Sequence, residues 1–108
     1  MATNLEYIEY ICDQLRGLGI INYRKMFGEY MVYIDYKPII LVCDNQAYVK
    51  MIPETTKILG EDAETGYPYQ GAKEHYTIDV DNKEILHEVC HSLVAVIPLP
   101  KPKKKQLR

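Results

Sequence analysis

The segment from His87 to His91, His-Glu-Val-Cys-His, is the closest match to a catalytic motif in this sequence. It fits the pattern H-E-x-x-H, in which two histidines one helical turn apart bind zinc and the glutamate polarises a bound water. Such sites usually take their third ligand from downstream, and no His, Asp or Glu follows His91. Both histidines also lie off the apolar stripe of the helix that the spacing predicts. We therefore expect a solvated helix face, with a small zinc hydrolase as a minor alternative.

The remaining candidates for metal binding and nucleophilic catalysis are weaker. His75 and Asp79 share one face of a predicted strand, but four residues separate them by roughly 13 Å, which is too far for one metal ion. The one serine, Ser92, lies inside a predicted helix and lacks the G-x-S-x-G context of a nucleophile elbow. These patterns predict that the protein is not an enzyme and uses no cofactor.

The cysteines and the hydropathy pattern narrow the class of protein. The cysteine count is odd, no pair has the CxxC spacing, and each thiol lies among apolar residues: Cys12, Cys43 and Cys90. This favours buried, reduced thiols over disulfides or a zinc knuckle. No apolar leader is visible, and no run approaches the ~18 apolar residues that a membrane span needs. We expect a cytoplasmic protein with no membrane contact.

Charge divides the chain into a domain at residues 1–98 and a basic Pro/Lys tail at residues 99–108. Residues 1–100 carry 8 Lys and Arg against 15 Asp and Glu, a net charge of −7. Five basic residues and no acid follow: Lys101, Lys103, Lys104, Lys105 and Arg108. The tail is either a solvated segment or an anchor that contacts nucleic-acid phosphates, with binding that weakens steeply in salt.

Two amphipathic helices are predicted near the ends of the domain. The first covers residues 4–18, and Thr3 with Glu6 has the spacing of a capping box. The second starts after Asp81, which is expected to cap it. Its apolar residues recur at helical spacing: Ile85, Leu86, Val89, Cys90, Leu93, Val94 and Ile97. Each helix therefore has one face to bury.

Strands fill most of the chain between these helices. Alternating or apolar runs predict them at residues 22–27, from Tyr30 onward, at Ile39–Cys43, at Ala47–Met51 and at Glu74–Val80. Turns are expected at residues 35–38 and 44–46, and a further short strand near residues 67–70. Pro53 begins and Gly60 ends a short middle helix. The order α-β(3–4)-α-β(1–2)-α predicts an α+β domain whose helices pack on an antiparallel sheet.

The corner between the first two strands reads Arg-Lys-Met-Phe-Gly-Glu-Tyr. Two large apolar side chains meet there, and the glycine lets the backbone bend sharply. The arginine stem could lie across Tyr30 or Tyr33. Arg-x-Met-Phe-Gly followed by x-Tyr resembles the signature of the TfoX N-terminal domain family of bacterial competence regulators. The matching positions are Arg24, Met26, Phe27, Gly28 and Tyr30.

The resemblance extends in order and element pattern over residues 4–97. Residues 41–50 look like the family's next hairpin, and Tyr67-Pro68-Tyr69 is similar to its aromatic-Pro-aromatic loop. Glu29 and Met31 stand where the family commonly has glycines, so the corner is bulkier and more acidic here. Longer members append a C-terminal domain of helical-hairpin type, which these 108 residues lack.

The resemblance implies a secretion-chaperone-like α+β fold and a regulatory or protein-interaction role, linked in full-length members to competence gene expression. It implies no cofactor and no catalytic residue. Ten Tyr, against one Phe and no Trp, suit half-buried sheet faces and interfaces. We therefore expect a stand-alone domain that binds a protein partner and forms a homodimer, with nucleic-acid contact through the tail as the alternative.

Overall fold

A computed structural model describes residues 3–26 and 29–100 of the chain. Within them, helices α1, α2 and α3 cover Leu5–Gln14, Pro53–Leu59 and Lys83–Val96. Strands β1 to β6 cover Ile21–Met26, Glu29–Ile34, Lys37–Cys43, Gln46–Lys50, Thr65–Gly66 and His75–Thr77. The α+β fold class is confirmed. Phe27 and Gly28 of the corner motif, and the basic residues at 101–108, lie outside the described residues.

The six strands form one antiparallel sheet in the order β1-β2-β3-β4-β6-β5. Two-residue turns join β2 to β3 and β3 to β4. All four turn residues have φ between 51° and 69°: Asp35, Tyr36, Asp44 and Asn45. This left-handed backbone matches the twist of the flanking strands. The turns are shorter than predicted because Lys37 and Gln46 already belong to strands.

All three helices cover the same face of the sheet. Buried residues on that face are Tyr30, Val32, Ile34, Ile40, Val42, Ala47, Val49 and Tyr76. They join one core with Ile8, Ile11 and Leu15 around α1 and with Leu86, Val89, Cys90 and Leu93 of α3. The short helix α2 adds a hydrogen bond of 2.8 Å between the hydroxyls of Thr56 and Tyr76. Removal of these apolar side chains from water is the main force that holds the helices on the sheet.

The first helix starts and ends differently from the prediction. Asn4 is its N-cap, and the Asn4 side chain accepts the backbone N–H of Glu6 at 2.8 Å. The predicted Thr3–Glu6 capping box is wrong, because the Thr3 hydroxyl donates instead to Glu29 Oε1 at 2.7 Å. The helix also ends at Gln14 rather than at residue 18, because the backbone then tightens into turns.

The last helix is likewise capped by an asparagine. Asn82 Oδ1 accepts the backbone N–H of Ile85 at 3.2 Å. The predicted Asp81 cap is wrong, because Asp81 Oδ1 accepts the hydroxyl of Tyr10 at 2.6 Å and so ties this end of α3 to α1. Among the described residues, no helix combines the length and the apolar character that a membrane crossing requires.

The middle of the chain follows the prediction at the helix and departs from it at the strands. Pro53 is the first residue of α2, and Gly60 follows its end with a φ of 92°. The short strand predicted near residues 67–70 is wrong, because the strand is Thr65–Gly66. Pro68 has no N–H to donate to a ladder. The last strand, β6, is also shorter than predicted.

Candidate functional site

The second face of the sheet carries no helix within the described residues. We term it the open face; among its residues are Arg24, Met26, Glu29, Met31, Tyr33, Leu41, Cys43, Tyr48, Lys50 and His75. Met31 pairs with Leu41, and Leu41 pairs with Tyr48, so an apolar row crosses three neighbouring strands. These three side chains are half-buried. A contiguous apolar layer of this kind marks a candidate interaction surface.

A groove of about 490 Å³ lies at one end of the open face. Its walls are Met26, Glu29, Met31, Leu41, Cys43 and Tyr69. Tyr69 belongs to the loop after β5, which reaches across the sheet to the first three strands. Pro68 is buried, whereas Tyr67 is 63% and Tyr69 is 59% exposed. The buried proline thus anchors a loop with two exposed tyrosine rings, of which Tyr69 lines the groove.

The carboxylate of Glu29 has a fixed position at the edge of this groove. Its Oε1 atom accepts the Thr3 hydroxyl at 2.7 Å and the backbone N–H of Asp44 at 3.2 Å. The Thr3 hydroxyl oxygen in turn accepts the N–H of Asn45 at 3.3 Å. These bonds join the segment before α1 to the β3–β4 turn. The groove therefore combines an apolar floor with a carboxylate that needs no further ordering before it meets a partner.

Cys43 lines the groove but is not an activated nucleophile. Burial, reinforced by the charges of Glu29 and Asp44, raises the pKa of the Cys43 thiol to about 11. In the core, burial raises the pKa of Cys90 to about 12. Both therefore remain protonated at neutral pH, and the thiolate is the reactive form. All three cysteines are free; Cys43 and Cys90 are buried as predicted, whereas Cys12 is only half-buried.

A second, smaller hollow of about 190 Å³ lies at the other end of the open face. Its walls are Met31, Pro38, Ile39, Leu41, Tyr48, Lys50 and His75. The rings of Tyr48 and His75 meet edge to face with centroids 6.4 Å apart. Lys50 is exposed at its rim. The open face thus has a groove with a carboxylate at one end and a hollow with an ammonium group at the other.

The two histidines of the H-E-x-x-H match have different surroundings. His87 Nε2–H donates to the backbone carbonyl of Gln14 at 2.6 Å, so His87 links α3 to the end of α1. His91 is exposed. Within residues 3–26 and 29–100, no group of three His, Cys, Asp or Glu side chains could hold a metal ion. The pattern in α3 thus has a structural explanation at His87 that local sequence does not reveal.

The pairing considered between His75 and Asp79 is not supported by the strand. β6 ends at Thr77, so Asp79 lies beyond the ladder. The His75 ring donates from Nδ1 to the carbonyl of Lys73 at 2.7 Å. Asp79 Oδ1 accepts the backbone N–H of Asp81 at 3.0 Å. Each side chain therefore forms a hydrogen bond to the backbone of its own segment.

The described residues of the corner motif divide between the two faces of the sheet. Arg24 and Met26 lie on the open face. Tyr30 is buried on the helix side, where its ring meets that of Tyr23 at 5.8 Å between centroids. Arg24 therefore cannot cover Tyr30, but it lines one hollow together with Tyr33. The motif therefore contributes a side chain to the core as well as side chains to the open face.

Sequence reasoning missed the groove. Glu29 attracted notice as an acid in a position where glycine is common, which was the available signal. Its partner Thr3 lies 26 residues away along the chain. Tyr69 falls in the aromatic-Pro-aromatic loop that the family resemblance implies, but nothing in its spacing indicates that the loop reaches the first three strands.

Two comparisons with known proteins agree with this architecture. The sequence model of the TfoX N-terminal domain matches residues 13–90, which include the corner motif, β1 to β6 and half of α3. An uncharacterised 12.7 kDa protein in the trpE 5' region of Spirochaeta aurantia is 31% identical over 110 residues, covering 100% of this chain and 95% of the relative. The chain belongs to the TfoX N-terminal domain family.

Proposed function

We propose that the protein is a non-catalytic, cytoplasmic protein-interaction module with a regulatory role, and that its partner binds the open face. The single observation that carries the proposal is the groove, an apolar cavity beside a fixed carboxylate on a sheet face that no described helix covers. Regulation of competence genes, or of transcription more broadly, is the setting that family membership suggests.

The chemistry of the groove suits a protein partner. Methionine side chains such as Met26 and Met31 adapt their shape to different contacts. Tyrosines are enriched at interfaces and among the residues that contribute most to binding, and Tyr69 is a largely exposed wall of the groove. Burial of apolar surface contributes about 25 cal/mol per Å². A partner that covers this surface therefore gains affinity without any chemical step.

Photo-crosslinking tests the proposal. A benzoylphenylalanine placed at Met31, in the middle of the open face, should crosslink to a protein in cells of the native host. The matched control places the same group at Glu88, which is exposed on the helix side of the molecule. A defined crosslinked product at Met31 that is absent at Glu88 supports the proposal. Absence of a product at both positions, or equal products, contradicts it.

A second candidate function is nucleic-acid contact through the basic tail. The observation that favours it is the charge separation between residues 1–100 and the five basic residues that follow. Binding of a labelled DNA duplex, followed by fluorescence anisotropy, should then weaken with salt at a log–log slope of about −0.9 per neutralised phosphate. A chain that ends at Pro100 should not bind. Equal binding by both chains would refute a role for the tail.

A further inference from the structure

We infer that the partner of the open face is a second copy of this chain, packed face to face across a twofold axis at Leu41. The inference rests on the proposed function, because it names the occupant of the same surface. Charge placement, surface shape and surface size each support it.

Two opposite charges lie on the open face, on either side of Leu41. Met31 and Tyr48 both pair with Leu41, and Glu29 and Lys50 lie two residues beyond them in opposite directions. At ~3.3 Å per residue and ~4.8 Å between strands, the Cα atoms of Glu29 and Lys50 are roughly 16 Å apart. Neither side chain makes an ion pair within the described residues. Lys50 is exposed and Glu29 lines the groove, so both charges lie where a second copy can reach them.

A twofold axis satisfies both charges at once. The axis runs through Leu41, in the plane of the interface and at right angles to the line from Glu29 to Lys50. A second copy turned over about this axis places its Lys50 over Glu29 and its Glu29 over Lys50. Such an interface uses one surface patch twice and closes as a dimer. Because hydrogen bonds already hold the Glu29 carboxylate, little side-chain freedom is lost there on association.

The same axis exchanges the groove and the hollow of the open face. Tyr69 forms one wall of the groove at the Glu29 end, and the hollow of about 190 Å³ lies at the Lys50 end. Because the axis exchanges the two ends, the Tyr69 ring of each copy meets the hollow of the other. The ring is 59% exposed in one chain, and this contact would cover it. The exposed Tyr69 ring of one copy is thus placed to fill the hollow of the other.

The open face is large enough for a small dimer interface. Six strands of two to seven residues, at ~3.3 Å per residue and ~4.8 Å between strands, give a flat footprint of roughly 450 Å². Stable complexes bury about 800 Å² of accessible surface per partner. Projecting side chains give more accessible area than the flat footprint, so the two values are compatible. Arg24 and Lys50 against Glu29 also keep this face free of the negative charge that dominates residues 1–100.

Sedimentation of the full chain over a range of concentrations tests the inference. We expect a dimer, and we expect Lys50→Glu to raise its dissociation constant at least tenfold, because two attractive pairs become repulsive. Lys83→Glu makes the same charge change at an exposed position on the helix side and should leave the constant unchanged. Met31→Lys should also dissociate the dimer. Circular dichroism establishes that each variant is folded.

The results separate this inference from the proposed function. A strict monomer at the highest concentration overturns the second copy, and so does a dimer that neither Lys50→Glu nor Met31→Lys weakens. If the photo-crosslink at Met31 then reaches a different protein, the interaction module stands without self-association. If Met31 crosslinks to nothing, both proposals fail.

Discussion

Burial raises the pKa of Cys90 and Cys43, so the stability of the fold depends on pH. The pKa is about 12 for Cys90 and about 11 for Cys43 in the folded chain, against an ordinary value of 9.0. The folded state therefore keeps protons that the unfolded state releases above pH 9. The stabilisation is complete below that pH and is lost as the pH rises towards the folded values.

Replacement of Cys90 should expose this linkage. Between pH 9 and 11 the Cys90 thiol lowers the free energy of unfolding by about 1.4 kcal/mol per pH unit. At neutral pH Cys90→Ala should be less stable than the wild type because it leaves a small cavity. Its stability should nevertheless fall less steeply with pH than that of the wild type, as measured by urea unfolding. If the free energy of unfolding fell equally steeply with pH in both proteins, Cys90 would not contribute to the pH dependence.

At the scale of single elements, the turn between β2 and β3 has an unusual residue. Tyr36 has a φ of 69°, a left-handed conformation that favours Gly, Asn or Asp over an aromatic side chain. The ring is also exposed, so it gains little from burial. Tyr36 is therefore strained, whereas its neighbour Asp35 is of a residue type that tolerates this conformation.

We expect Tyr36→Gly to stabilise the protein by up to about 1 kcal/mol, because relief of the strained φ outweighs the added freedom of the unfolded chain. Thermal unfolding would register this as a rise of several degrees for a domain of this size. Lys25→Gly, in the ordinary backbone of β1, is the control and should lower the melting temperature. A fall for both variants would show that the turn is not strained.

Helices and strands could be predicted from the sequence where a single local pattern of apolar residues determines them. The stripe of α3 and the alternation of β2 both follow from a single buried face, so periodicity alone identifies them. The caps were misplaced by one residue, because Thr3 and Asn4, like Asp81 and Asn82, are all good capping residues. Which of two neighbours caps a helix depends on what the other one meets in the folded chain.

At the scale of the whole molecule, contacts between distant parts of the chain determine the site. Thr3 meets Glu29, and His87 meets Gln14 across 73 residues of chain. Periodicity and spacing report only on near neighbours, so neither contact could be inferred from the sequence. The open face itself could be inferred, because alternation in the strands places a second set of side chains opposite the core.

The link from His87 to α1 gives a prediction that also tests the zinc hypothesis. His87→Ala should lower the free energy of unfolding by about 1 kcal/mol, since it removes a partly buried hydrogen bond between distant helices. His91→Ala, at an exposed position in the same helix, should have no measurable effect on urea unfolding. A zinc site would require both histidines, so equal losses, restored by added zinc, would support the metal hypothesis instead.

The position of α3 in the chain has a consequence for synthesis. This helix is the last element described, yet it covers the centre of a sheet whose strands are all made earlier. While the ribosome is still translating residues 83–96, the hairpins of β1 to β4 can form, but Val32, Ile40 and Val42 lack their cover. A nascent chain at this stage exposes apolar surface that can bind chaperones or other nascent chains. The yield of folded protein should therefore depend on how quickly the final helix follows the strands out of the ribosome.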